Sequence, residues 1–150
     1  MVAYHTDSDL ITPGSWQREF ADGVRATAIG RAFQLLEEDD LSSPPVLTLV
    51  AAWSRCSVPV AGDDWAAVGD AASCFDPLSS QGLFNALYGA LKLAPAIASS
   101  LTGDRRALAN YSERLYTVWT AYRRHSSAFY RLERRWPDHC FWRRRQMLAA

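Results

Sequence analysis

The sequence predicts an α+β protein in which a few short β-strands precede long C-terminal helices. First, 49% of its 150 residues are hydrophobic and 21% are charged, a composition that can bury one core. Second, short runs rich in β-branched and aromatic residues occur before residue 69, bounded by turn-forming residues. Third, apolar residues recur at spacings of three and four after Gly82, which is the period of a helix.

The same composition excludes several classes of protein. The sequence contains no run of about 18 apolar residues, and its first twenty residues lack the basic start and apolar block of a secretory signal. Its three cysteines, Cys56, Cys74 and Cys140, are odd in number, widely spaced and not part of a CxxC pair. We therefore expect a cytoplasmic protein with reduced thiols and no membrane span. No cluster of residues has the spacing of metal ligands, so no metal site is predicted.

The first sixty-eight residues carry the strand predictions. Residues 2–7, 46–53, 55–60 and 65–68 are short runs of the strand type. Between the first two, Thr-Pro provides a helix start and apolar residues recur at helical spacing, which predicts one helix over residues 12–36. These elements predict a small sheet with one helix on it.

Two helices follow. Leu83, Leu87 and Leu91 define an apolar stripe on the first, and Pro95 should kink or divide it. The second should cover roughly eight turns and end before the next proline. Its stripe consists of Leu108, Tyr111, Leu115, Val118, Tyr122, Phe129 and Leu132.

The zero net charge conceals an asymmetry. Residues 1–100 contain five Arg and Lys against twelve Asp and Glu, whereas residues 101–150 contain eleven Arg against four acids. The basic end, with Trp142 beside three arginines, raises nucleic-acid binding as a hypothesis. No nucleic-acid-binding motif accompanies it, so a solvated helix face that pairs with acidic residues is the preferred interpretation.

The segment most informative about function covers residues 65–94. A predicted strand ends in Gly69-Asp70, where a carboxylate can accept hydrogen bonds from ligand hydroxyls. The following Ser-Ser-Gln-Gly loop leads into a helix, and the N–H groups at a helix N-terminus favour an anion or an electron-rich carbonyl. Gly82 lets a flat ligand approach the backbone.

This segment resembles the second FAD-contacting motif of a superfamily of flavoprotein oxidoreductases. The superfamily includes aromatic hydroxylases, flavin-dependent tryptophan halogenases and related maturation monooxygenases. The matching residues are VGDAA at 68–72, FDPLSSQG at 75–82 and the helix that follows. The form DPLSSQG is closer to the halogenase-like and maturation-enzyme branch.

The resemblance implies a role for each residue of the motif. The implied cofactor-binding residues are Gly69, Asp70, Pro77, Ser79, Ser80, Gln81, Gly82 and Leu83. Asp70 would bind the ribityl chain of FAD, and Gly69 would permit the turn. Pro77 and the amides of residues 81–83 would face the isoalloxazine ring. Residues 79–81 are where a halide would lie in a halogenase.

The match also has departures. No GxGxxG follows an opening strand, and neither the halogenase lysine nor the tryptophan-containing motif near it has a counterpart. Lys92, the only lysine, lies on the motif helix, so no catalytic residue is assigned. The expected fold is thus a partial FAD-dependent monooxygenase-like fold that lacks the N-terminal dinucleotide-binding unit.

Three segments are expected within this one structural unit. Residues 1–64 would end the substrate-side sheet with one helix, residues 65–102 would form the FAD-contacting strand, loop and helix, and residues 103–150 would form a helical region. The expected function is part of an FAD-dependent oxidoreductase, either monooxygenase or halogenase-like, acting on a small molecule or a peptide. The alternative is a non-catalytic remnant, or the split partner of a separate nucleotide-binding chain.

Overall fold

The computed structural model describes residues 3–32 and 48–147, which are mostly helical. Within those ranges lie five α-helices and one small sheet. The elements are α1 (Trp16–Ala26), α2 (Ala28–Ala32), β1 (Arg55–Cys56), β2 (Ser73–Cys74), α3 (Gly82–Leu101), α4 (Ala107–Leu132) and α5 (Cys140–Met147). Three 3-10 turns cover Ser8–Leu10, Gly69–Ala71 and Pro77–Ser79. The chain divides into two compact units, residues 1–50 and 51–150.

In the first unit, the prediction of one helix over residues 12–36 is wrong in its start and its continuity. Helix α1 begins at Trp16, and the chain becomes extended at Thr27 before α2. The hydroxyl of Thr27 accepts the N–H of Gly30 at 2.9 Å and donates to the carbonyl of Val24 at 2.7 Å. Such side-chain bonds compete with the helical pattern and explain the break. Residues 33–36 lie outside the described residues.

Most of the predicted strands are also absent. Residues 3–7 and 48–53 form no strand, and the remaining residues of those two predictions lie outside the described part. Of residues 55–60 only β1 is a strand, and residues 65–68 contribute a single bridge, from Ala66 to Ala61. Each β-strand requires a hydrogen-bonded neighbour, which a run of β-forming residues does not supply by itself.

The sheet that does form is two-stranded and antiparallel. Arg55 of β1 lies opposite Cys74 of β2, and Cys56 lies opposite Ser73. The sequence did not predict β2, because its Ser-Cys pair falls within a segment that reads as a loop. The three cysteines are all free thiols.

The two long helices, α3 and α4, form the frame of the second unit and pack against each other. Helix α3 is not divided at Pro95 and continues to Leu101. Helix α4 covers about seven turns, close to its prediction. Tyr111, Leu115 and Tyr122 of its predicted stripe are buried. The last two members, Phe129 and Leu132, are exposed.

The core of this unit lies between the two helices and the segment that connects β1 to β2. The N–H of Val60 donates to Ser112 Oγ at 3.2 Å, and Tyr111 Oη donates to the carbonyl of Ala67 at 2.7 Å. These bonds attach residues 60–67 to α4. The buried cluster consists of Val60, Ala61, Ala72, Leu93, Tyr111 and Leu115.

Helix α5 packs on the C-terminal part of α4. The side chain of Gln146 donates to the carbonyl of Glu133 at 2.6 Å, and Phe141 is buried. Among the described helices, none is long and apolar enough to cross a membrane.

Candidate functional site

The Gly69-Asp70 pair forms a turn rather than the end of a strand, which corrects the prediction. Val68 is extended, and the 3-10 turn Gly69–Ala71 follows it directly. Gly69 has φ +62°, in the left-handed region that favours glycine. A Cβ at Gly69 would lie 3.5 Å from that of Ala86, so the turn packs on α3 and leaves Asp70 exposed.

The Asp-Pro dipeptide starts the second turn of the site. Asp76 is the N-cap of Pro77–Ser79, and its Oδ1 accepts the N–H of Leu78 at 2.9 Å. Proline suits the first position of a helical turn, because that position has no N–H partner to lose. The carbonyl of Asp76 accepts both the backbone N–H of Ser79 at 2.9 Å and its hydroxyl at 2.7 Å. Asp-Pro therefore defines the loop locally.

The loop leaves this turn through a left-handed residue that is not glycine. Ser80 has φ 53° and ψ 22°. Gln81 follows as the N-cap residue of α3, and its N–H lies 3.4 Å from Ser79 Oγ. The hydroxyl of Ser79 is thus used inside the loop, whereas Ser80 and Gln81 are exposed.

The first turn of α3 presents backbone groups to an open surface. A Cβ at Gly82 would meet no atom within 4 Å, and Leu83 is exposed. The first N–H groups of any α-helix have no partner within the helix and carry the positive end of its dipole. The Gly69-Asp70 turn thus packs against the same helix whose N-terminus is exposed.

Behind the exposed loop lies a buried carboxylate that sequence reasoning did not assign. Asp76 is 9% exposed, and its backbone N–H donates to Tyr122 Oη at 2.8 Å. Tyr130 Oη donates a hydrogen bond to Asp76 Oδ2. Phe75 packs edge-on against the ring of Tyr122, with centroids 4.7 Å apart. The sequence pattern placed Tyr122 only in the apolar stripe of α4. The one sequence feature that could have indicated its role is that Tyr122 and Tyr130 are eight residues apart on the same helix.

The surroundings of Tyr130 favour the neutral form of its phenol. Burial raises the pKa of the Tyr130 phenol, and its hydrogen bond to Asp76 raises that pKa further. The guanidinium of Arg145 lies 5.6 Å from the centre of the Tyr130 ring and lowers the pKa of the phenol in part. Tyr130 is consequently a neutral donor to the carboxylate at ordinary pH.

The predicted flavin residues form an open surface rather than a closed pocket. Asp70, Pro77, Ser80, Gln81 and Leu83 are exposed. Two clefts elsewhere in the described chain, one beside Lys92 and Arg114 and one beside Trp65 and Ile97, include none of the predicted residues. Across residues 3–32 and 48–147, no three His, Cys, Asp or Glu side chains are grouped for metal binding.

Comparisons with known proteins connect this geometry to a family. Residues 60–150 match the family described as tryptophan halogenase. LodB of Marinomonas mediterranea, a putative FAD-dependent oxidoreductase, is 32% identical over 106 residues, which are 71% of this chain and 28% of LodB. The solved structure of the peptidyl tryptophan dihydroxylase QhpG, essential for tryptophylquinone cofactor biogenesis, matches with a TM-score of 0.76 and 26% identity.

The QhpG match covers 93% of this chain and 33% of that protein. The chain therefore spans a third or less of the length of either relative. The matched family region includes the Gly69-Asp70 turn, the Asp76–Gln81 loop, α3 and α4. By sequence and by fold, the chain belongs to the tryptophan halogenase family.

Proposed function

We propose that this chain contributes the ribityl- and isoalloxazine-contacting segment of an FAD-dependent oxidoreductase. One observation carries the proposal. In a member of this family, a glycine-aspartate turn packs against α3, the N-terminus of the same helix is exposed, and a defined loop leads into that N-terminus. The likeness to LodB and QhpG supports the same assignment.

The chemistry of these residues fits FAD. The exposed carboxylate of Asp70 can accept hydrogen bonds from the hydroxyls of a ribityl chain. The open space over Gly82 leaves room for a flat ring to approach the backbone. The N–H groups of the first turn of α3 can donate to the electron-rich edge of that ring.

Each of these groups has a distinct task in the proposed function. When bound, FAD supplies the redox chemistry. Asp70 orients the sugar-alcohol chain, Pro77 presents a rigid apolar surface to the ring, and the N-terminus of α3 stabilises negative charge on the ring edge. Because the N–H groups belong to a rigid helix, they need little reorganisation when that charge develops.

The proposed reaction class is the hydroxylation of an aromatic group in a small molecule or a peptide. The description of QhpG as a peptidyl tryptophan dihydroxylase supports this choice. Halide oxidation is the alternative that the family description supports. In that case Ser80 and Gln81 would contact the halide, since the hydroxyl of Ser79 already donates to Asp76.

The experiment is a flavin-fluorescence titration of the purified chain with FAD, beside Asp70→Ala. Asp64→Ala is a matched control, because it removes the same charge from another exposed position. We expect saturable binding that Asp70→Ala weakens by about tenfold or more and Asp64→Ala leaves unchanged. Equal affinity for all three chains would overturn the proposed role of Asp70.

A second candidate function is that of a split partner of a separate nucleotide-binding chain. The observation that favours it is the apolar outer face of α3, where Leu83, Leu87 and Leu91 are exposed. Large exposed apolar surfaces mark interaction sites. A folded chain that binds no FAD in the titration would favour this candidate over the first.

A further inference from the structure

We propose that Tyr122 and Tyr130 are positioning residues that hold Asp76 and thereby set the conformation of residues 77–83. We call Asp76 with these two tyrosines the Asp76 clamp. The inference rests on the proposed function, since residues 77–83 include most of the predicted flavin contacts. It assigns a role to a buried aspartate and two tyrosines that lie outside the predicted cofactor-binding set.

In the clamp, one residue is held at both its main chain and its side chain. The N–H of Asp76 donates to Tyr122 Oη at 2.8 Å, and Asp76 Oδ2 accepts from Tyr130 Oη. The other carboxylate oxygen accepts the N–H of Leu78 at 2.9 Å. A rotation of Asp76 would break bonds on both sides, so its position relative to α4 is closely defined.

The free-energy cost of burying the Asp76 carboxylate indicates that this residue does more than fill space in the core. Burying a carboxylate costs free energy unless charge-assisted hydrogen bonds compensate for the lost water. Unlike an apolar side chain, the carboxylate can connect α4 to the N–H of Leu78 through hydrogen bonds.

The loop beyond the clamp contains a residue that needs such support. A non-glycine residue in the left-handed region costs free energy and persists only when its surroundings determine it. Ser80 is such a residue, and its N–H donates to the carbonyl of Pro77 at 3.1 Å. The clamp fixes the start of this turn, and α3 fixes its end.

Both tyrosines of the clamp also contact side chains other than Asp76. Tyr122 Oη is 2.6 Å from Ser54 Oγ, and its ring packs against Phe75. The Tyr130 ring lies 6.1 Å from that of Trp142 on α5. Contacts with Ser54, Phe75 and Trp142 therefore hold the two tyrosines of α4 before any ligand binds.

The first test measures the loop without a flavin. Tyr130→Phe removes the donor to Asp76 and keeps the ring. Tyr116→Phe is the matched control, because Tyr116 lies on the same helix and is 54% exposed. In Tyr130→Phe we expect the amides of residues 78 and 79 to exchange hydrogen about tenfold faster relative to the core amides of α4. Tyr116→Phe should leave this ratio unchanged.

The second test measures the consequence for FAD. We expect Tyr130→Phe to weaken FAD binding by about tenfold and to change the visible absorption bands of the bound flavin. A merely structural residue would change stability without changing the spectrum. Asp76→Asn should retain near-native affinity, because an amide still accepts from Leu78 and can donate to Tyr130, whereas Asp76→Ala should not.

The outcomes separate the clamp from the proposed function. Loop-selective exchange with weaker FAD binding supports both. Loop-selective exchange in a chain that binds no FAD supports the clamp and counts against the proposed function. The clamp would be overturned, whatever the FAD titration gives, if hydrogen exchange in Tyr130→Phe became faster by the same factor in the loop and in the core. It would also be overturned if exchange became faster in neither. An Asp76→Asn variant as impaired as Asp76→Ala would overturn it as well.

Discussion

The two faces of α3 differ more than its sequence indicates. Its inner face buries Gly89 and Leu93, with Leu93 only 8% exposed. Its outer face has Leu83, Leu87 and Leu91 at 76%, 60% and 73% exposure. The leucine stripe that predicted the helix is therefore not the face that the helix buries within this chain. Hydrophobic spacing predicted the helix correctly, but it did not show which face of the helix would be buried.

The small residue on the inner face explains the orientation. A Cβ at Gly89 would lie 3.3 Å from Val68 Cγ2 and 3.7 Å from Tyr111 Oη. The absence of a side chain lets the backbone of α3 approach the preceding segment and α4 closely. Close approach at one glycine thus decides which face is buried. The outer face remains an apolar surface of the kind that binds a partner.

The sharpest test of the comparison is the same substitution on each face. Leu93→Ala should reduce the free energy of unfolding by about 2–4 kcal/mol, because it removes buried methyl groups and leaves a cavity. Leu91→Ala, two residues earlier, should change it by less than about 0.5 kcal/mol, since that side chain is exposed. Urea unfolding followed by circular dichroism measures both. Equal losses would show that the leucine stripe is buried in solution.

A second pair tests the partner helix. Tyr111 is 3% exposed and donates to the carbonyl of Ala67, so Tyr111→Phe should cost about 0.5–1.5 kcal/mol. Tyr116→Phe, on the outer side of α4, should cost close to nothing. Both are measured by the same urea titration. If Tyr111→Phe were as neutral as its control, the bond to Ala67 would contribute nothing to the inner face.

The apolar outer face of α3 should cause copies of the chain to associate. We expect the chain to self-associate reversibly at high concentration, and Leu87→Ser to weaken this several-fold, about 1 kcal/mol or less, by removing exposed apolar area. Sedimentation velocity over a concentration series measures the effect. Leu132→Ser, which changes an exposed leucine on α4, is the control. A chain that stays monomeric throughout would remove the argument for a docking face.

The smallest expected effect comes from an ion pair in the segment that connects α4 to α5. Arg135 Nε donates to Glu133 Oε1 at 2.9 Å, and this contact lowers the pKa of Glu133 from 4.5 to about 2. A lowered pKa stabilises the fold above pH 4.5, and this stabilisation is lost as the pH falls toward 2. The unfolding midpoint should therefore decrease slightly over that range. Glu133→Gln should remove this part of the pH dependence, and an unchanged profile would contradict the assignment.

The local turn at Asp76-Pro77 was predictable from sequence, whereas the long-range contacts that hold the site in place were not. Asp76-Pro77 forms the expected turn, because an aspartate cap followed by proline depends on neighbouring residues only. The turn at Gly69-Asp70 was not predictable in the same way, because it depends on the packing of Gly69 against Ala86 of α3. The Asp76 clamp joins residues 46 and 54 positions apart in sequence, a distance at which periodicity carries no information.

The sequence alone determined the family, the two long helices and the loop between the Gly69-Asp70 turn and α3. These depend on short-range patterns: a motif, a 3.6-residue period, and turn-forming dipeptides. Tertiary structure decided which face of α3 is buried, which strands find a partner, and that Tyr122 and Tyr130 meet Asp76. Those outcomes depend on contacts between segments distant in sequence, where packing and hydrogen bonding override local preference.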